Sequence, residues 1–299
     1  MWLIFAILAP FLYAIVHILD NYCVKDIFNK PWLGMFTSSI STLVILLLLC
    51  PILIPLTDFW YWGSLNIIFI ACASGLLAQL GYGLYFTALS KSETGIIAAY
   101  SNIIPALVAL WGFVFFGQLL KPFHYIGILI LIICSASFYR IDSKENAKLQ
   151  ALILIIAASI LQSWEYIIDD HIFSVLPFSQ GIFFIAIGMV IGGLSPLIFS
   201  KTRNIILEEL PLLVHRRKTF VGIEIIDIFA LLSAEKAIEL GNPALVSSLE
   251  SALPAFVFLI SLFLFYIGHT PVKKVIKQNF IIKIMLVVFM VIGVRLISF

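Results

Sequence analysis

Gln162, Glu165 and Asp169 stand at i, i+3 and i+7 in the stretch QSWEYIIDDHIF, with Tyr166 beside them. That spacing puts the two carboxyls and the amide on one helix stripe. Such a stripe can hold a cation, exchange a proton, or decorate a helix end in water. The residues before it, ALILIIAASIL, carry no charge. A carboxylate near the middle of a bilayer costs about 2.5–3.5 kcal/mol on insertion scales, so Glu165 needs a partner, water or a proton. It either faces a cavity, binding substrate or a proton there, or it pairs with Lys236 or a hydroxyl.

Further acids sit in equally apolar surroundings. Glu224 and Asp227 follow the basic run His215-Arg216-Arg217-Lys218. A salt bridge to that run is the plain expectation for Glu224, whereas Asp227 lies a turn deeper. Glu250 precedes Pro254 by four residues, and proline's missing N–H frees the Glu250 carbonyl. Kinked polar backbone at membrane depth lines cavities, which makes Glu250 a second candidate. Tyr100, Ser101 and Asn102 precede Pro105 in the same way. Aromatic faces beside an acid suit an ammonium group. The candidate substrate-binding set is therefore Glu165 with its neighbours Trp164 and Tyr166, Glu250, Asp227, and Tyr100, Asn102, Tyr82 and Tyr13. Glu165 is also the candidate for proton coupling. His17 reads as a packed, hydrogen-bonded polar residue.

The elements that must position these groups are membrane helices. Of 299 residues, 62% are hydrophobic and 11% charged, with a mean hydropathy of +1.13, well outside the range of soluble domains. Continuous apolar runs, rather than alternating ones, favour helices over a barrel. About 20 apolar residues cross the hydrocarbon layer. Cutting at Pro, Gly and charge predicts ten spans near 2–23, 33–56, 64–87, 95–117, 122–140, 149–171, 178–200, 219–239, 243–267 and 278–298. The first reads as a retained helix, since it has neither a basic leader nor a small-residue cleavage pattern. The segment 201–218 falls between spans, and its ILEELPLLV centre suits the interface plane. Trp32, Trp60, Tyr61 and Trp62 read as interface anchors.

The chain also repeats. A shift of 149 residues sets Leu12, Asp20, Ala88, Pro105, Ala106 and Phe116 on Leu161, Asp169, Ala237, Pro254, Ala255 and Phe265. Two units follow, 1–147 and 148–299, each of five helices. Five is odd, so the second unit is inverted relative to the first, an arrangement common in secondary transporters. The shift also sorts the acids: Asp169 meets Asp20 and reads as architectural, whereas Glu165, Glu224, Asp227 and Glu250 meet Val16, Gly75, Ala78 and Ser101. Fourteen of the 18 basic residues fall in odd-numbered connections, a bias that puts both termini outside.

The segment ALSKSETGIIAAYSNIIPALVALWGFVFFGQ resembles the drug/metabolite transporter superfamily, EamA-like branch. Its third helix ends in Ala88-Leu89, and its fourth carries a mid-helix proline and closes on Gly117-Gln118. Ala237-Ile238 and GNPALVSSLESALPAFVFL repeat the pattern, and the resemblance covers nearly the whole chain. It implies an all-α integral membrane fold of ten helices around a central cavity, worked by alternating access. The family's first-helix Trp-Gly is Tyr13-Ala14 here, its closing Gly-Glu is Gly117-Gln118, and Gly268-His269 takes that place in the second half. These departures leave the substrate open.

The function expected is secondary transport, in the cell (inner) membrane, of a small cationic or zwitterionic metabolite such as an amino acid or a choline-like amine. A non-transporting membrane scaffold and a carrier of a larger, nucleotide-like metabolite are the alternatives. The partners expected are the small-molecule substrate, the lipid bilayer and, as an option, a second copy in a homodimer. The scattered basic residues give no nucleic-acid footprint. There is no Walker, HExxH, GxSxG or dinucleotide signature, so neither catalytic residues nor cofactors are expected. The cysteines Cys23, Cys50, Cys72 and Cys134 read as small packing residues, and no metal site is expected.

Overall fold

The computed structural model describes residues 1–56, 64–91, 100–142, 149–267 and 279–299. Among these residues the chain is all-helical: α1 (Trp2–Asp26), α2 (Leu33–Leu56), α3 (Leu65–Leu89), α4 (Ile104–Phe116), α5 (Pro122–Asp142) and α6 (Leu149–Val175) come first. After them run α7 (Phe178–Leu194), α8 (Ser200–His215), α9 (Arg217–Leu240), α10 (Pro243–Glu250), α11 (Leu253–Tyr266) and α12 (Phe280–Ile297). Six segments are long and apolar enough to span a bilayer, among them Leu65–Leu89, Leu149–Val175 and Phe280–Ile297. The protein is a multi-pass membrane protein. The expected anchors Trp60, Tyr61 and Trp62, and the Gly268-His269 step, lie outside the described residues.

The helical segments exceed the ten expected, for two physical reasons. First, the segment expected between spans in the interface plane forms a helix of its own, α8, over Ser200–His215. It buries Ile206 and Leu213 against Phe28, Leu33, Phe36 and Phe220, and Asn29 Nδ2 donates to Glu209 Oε1 at 2.8 Å. Second, the expected span 243–267 is broken into α10 and α11. Pro254 cannot donate to the Glu250 carbonyl, and the chain passes the break by i→i−3 bonds from Ser251 N to Ser248 O and from Ala252 N to Leu249 O. The first half does the same ahead of Pro105, where Ile103 N bonds Tyr100 O at 3.3 Å.

α10 begins with Asn242 as N-cap, its Oδ1 accepting from Ala244 N at 2.9 Å, while its Nδ2 donates to Gln118 Oε1 at 3.1 Å. Asn242→Ala removes both bonds. Loss of the cap is expected to cost about 1 kcal/mol, read as a lowered Tm of the purified protein; an unchanged Tm would show that the half-helix needs no cap.

Helix pairing sets the cavity. α3 packs on α6 and α7, α1 on α9, α2 on α7, and α5 on α12. α3 and α7 cross at backbone contact: a Cβ on Gly75 would lie 2.8 Å from Ile185 C and Met189 N, and one on Gly188 would lie 2.7 Å from Cys72 C. Small residues at a helix crossing allow such approach in lipid. A second packed region, built on Val108, Leu131, Leu249, Phe258 and Met290, joins α4 and α5 to α10, α11 and α12.

Candidate functional site

Two chambers open inside the helix assembly. The first is walled by α6, α9, the break between α10 and α11, and the residues just before α4. The second is walled by α1, α2, α3 and the start of α9. Tyr13, His17, Tyr82 and Tyr85 line both, forming a collar between them. Within the collar Tyr85 Oη is 3.1 Å from His17 Nδ1, and the two rings meet edge to face. His17 is thus the packed, hydrogen-bonded residue expected.

The chambers are acidic. Glu165, Asp169, Glu235 and Glu250 line the first; Asp20, Glu224 and Asp227 line the second. Among the described residues no Lys or Arg lines either one. Seven carboxyls in low dielectric require protons, donors or a cation to offset their burial.

The structure places each candidate. Glu165 is half-buried on the wall of the first chamber, one helix turn from Asp169. It does not meet Lys236, whose ammonium pairs with Glu239 and lies 4.6 Å from the centre of the Phe178 ring. Tyr166 is buried and its hydroxyl donates to the Glu250 carboxylate. Asn102 is buried in the same chamber and accepts from Ser135 Oγ at 2.9 Å. Tyr13 and Tyr82 belong to the collar. Asp227 lies across it, in the second chamber.

Trp164 and Tyr100 stand elsewhere. Trp164 stacks on Trp111 at 5.2 Å and leans on Phe115 at 5.1 Å, outside both linings. Successive helical residues point about 100° apart, so the two neighbours of Glu165 cannot both share its face. Tyr100 is 41% exposed and lines neither chamber. Glu224 departs from its expected salt bridge with the basic run. It is buried and accepts from Thr42 Oγ1 at 2.5 Å and Ser38 Oγ at 3.3 Å, two hydroxyls from α2 that substitute for water.

Asp169 does more than sequence symmetry assigned to it. It is fully buried, with Ser74 Oγ donating to its Oδ1 at 2.6 Å. Glu235, which the sequence reading left out, joins Glu165 and Asp169. One ligand oxygen from each of the three lies within 4.8 Å of the others. The available signal was helical spacing: Glu235 is eleven residues beyond Glu224 on α9, about three turns, and so near the same face.

Comparison with known proteins bears on the fold and on the first half of the chain. Residues 1–139 match the EamA-like transporter family. A protein of known crystal structure superposes over 99% of this chain and 96% of its own, with a TM-score of 0.69 at 14% identity; at that identity the likeness is one of fold. No curated protein matches.

Proposed function

We propose, for a chain whose residues 1–139 match the EamA-like transporter family, a carrier of the drug/metabolite transporter type with a substrate that is small and cationic or zwitterionic. Membrane transport of that type is the premise; the charge class is the step taken from the site. One observation carries it: seven carboxyls and the tyrosines Tyr13, Tyr82 and Tyr166 line the chambers, with no Lys or Arg among the described lining residues. A nucleotide-like substrate would need cations for its phosphates. An amino acid or a choline-like amine would set its ammonium against Glu250 and the tyrosine faces.

Two units, 1–147 and 148–299, working as an inverted repeat, are part of the same reading. The packing of α1 on α9 has its counterpart in α6 on α3, and the backbone breaks before Pro105 and Pro254 are 149 residues apart. Both features support alternating access about a site between the halves. In this scheme Glu165, open to the first chamber, gives up a proton when substrate arrives, and the protein works in the cell membrane.

The test is uptake into proteoliposomes of a labelled panel of amines and amino acids at two pH values, with Glu165→Gln beside the native protein. Loss of uptake, with a flattened pH profile, is expected. Unchanged uptake and unchanged pH dependence would remove Glu165 from the mechanism, and a native protein that moves no cation or zwitterion would end the charge-class reading.

A further inference from the structure

The acids of the first chamber are not equivalent. Glu250 has its tyrosine donor, but Glu165, Asp169 and Glu235 converge on one another with one ligand oxygen each inside 4.8 Å. Hard cations hold carboxylate oxygens at about 2.3–2.6 Å, so two oxygens on one ion are at most about 5 Å apart. The triangle is therefore of a size to enclose a single ion.

Proximity of acids alone would decide nothing. A separate observation concerns hydrogen bonding. Asp169 Oδ2 and Glu235 Oε2 are buried with no hydroxyl, amide or ammonium donor reaching them, on side chains 0% and 2% exposed; the two carboxyls are close enough to share a proton, the alternative to a bound ion. Buried oxygens are ordinarily satisfied, and carboxylate oxygens left bare are the costliest kind. The adjacent ammonium, that of Lys236, is committed to Glu239 and the Phe178 ring. Ser74 donates to Oδ1 of Asp169, which orients the carboxyl.

We propose that Glu165, Asp169 and Glu235 form a site for a hard metal cation, Na⁺ or Ca²⁺, in the wall of the first chamber. The donor set fixes the class. It is all oxygen, without histidine or thiolate, and carboxylate oxygens select alkali and alkaline-earth ions over zinc or copper. Asp169 and Glu235 supply the buried part of the cage, and half-buried Glu165 is the member through which an ion enters from the chamber. Ser74 is a positioning residue. An ion here lies beside Glu250 and Tyr166 in the same lining, so its charge acts on whatever binds between them. Use of the ion for coupling rests on the carrier reading above; the binding itself does not.

The experiment reads ion binding, not transport. The purified full chain, chelator-stripped and held in N-methylglucamine chloride, is titrated with ²²Na⁺ or ⁴⁵Ca²⁺ in equilibrium dialysis, with Tm followed in parallel. One of the two ions is expected to saturate at a single site and to raise Tm beyond the N-methylglucamine control. Asp169→Asn and Glu235→Gln should abolish that binding, Ser74→Ala should weaken it about tenfold, and Glu208→Gln, at an exposed acid of α8 outside both linings, should leave it intact. If the ligand variants do not yield monodisperse protein, the native titration and Ser74→Ala decide. Absence of saturation by either ion means protons alone satisfy the triad and overturns the site, as does binding that survives both Asp169→Asn and Glu235→Gln or is unmoved by Ser74→Ala. Each of these failures leaves uptake of amines in proteoliposomes untouched, so the carrier reading would stand or fall separately.

Discussion

Gly75→Ala is expected to destabilise the protein by about 3 kcal/mol or more, among the largest single-residue effects this fold allows. The added methyl would meet the Ile185 carbonyl and Met189 N, which are backbone atoms of α7 and cannot rotate away. The helices must separate, and they cannot do so locally, because Gly188 makes the reciprocal contact with Cys72 one turn along. Ser74, the donor to Asp169, is the next residue on α3, so separation also pulls a donor from a buried carboxyl. The measurement is thermal unfolding of the purified variant with size-exclusion profiles. A Tm within a degree or two of the native value would show that the α3–α7 crossing tolerates expansion. Gly222, around which a Cβ would meet nothing within 4 Å, is the internal control.

The second large effect is at Glu250. For whichever amine or amino acid the panel identifies, Glu250→Gln is expected to weaken apparent affinity roughly 30-fold or more, the equivalent of about 2 kcal/mol for a desolvated charge partner. The substitution keeps the shape at the end of α10 and removes the charge. Tyr166→Phe should fall in the same direction but less far, since it removes only the donor that fixes the carboxylate. Full activity in a folded Glu250→Gln protein would place the ammonium elsewhere, with Asp227 across the collar as the next place to look.

The sequence predicted the helices closely because membrane helices are written in length and continuity. The second span, 33–56, coincides with α2, and the breaks before Pro105 and Pro254 followed from a covalent fact, the missing N–H. α8 lies outside the ten spans because charges end a hydrophobic run without ending a helix; an amphipathic segment continues past them with Ile206 and Leu213 turned inward. The site was legible in part. Glu165, Glu250, Tyr166 and Asn102 do line one chamber. Glu235 has no counterpart in the stripe around Glu165 that would single it out, and Lys236, the expected partner of Glu165, turns to Glu239 instead. Asp169 was read as scaffold because Asp20 matches it. Symmetry of position, however, does not give symmetry of surroundings: Ser74 donates to one, and the other faces Glu224 and Asp227 in the second chamber. Which hydroxyl reaches which carboxyl depends on helix rotation, and a single sequence does not record that.

The shared collar carries an evolutionary consequence. Tyr13, His17, Tyr82 and Tyr85 are floor to one chamber and ceiling to the other, so a change at any of them alters both compartments together. Under the alternating access proposed above, selection cannot tighten binding on one side through these positions without disturbing release on the other. Divergence toward a new cargo is thereby channelled to side chains that belong to one compartment alone, such as Glu250 and Asn102 on one side and Asp227 and Asp20 on the other. Relatives with altered specificity should vary at those flanking places while keeping the ring of aromatics between them.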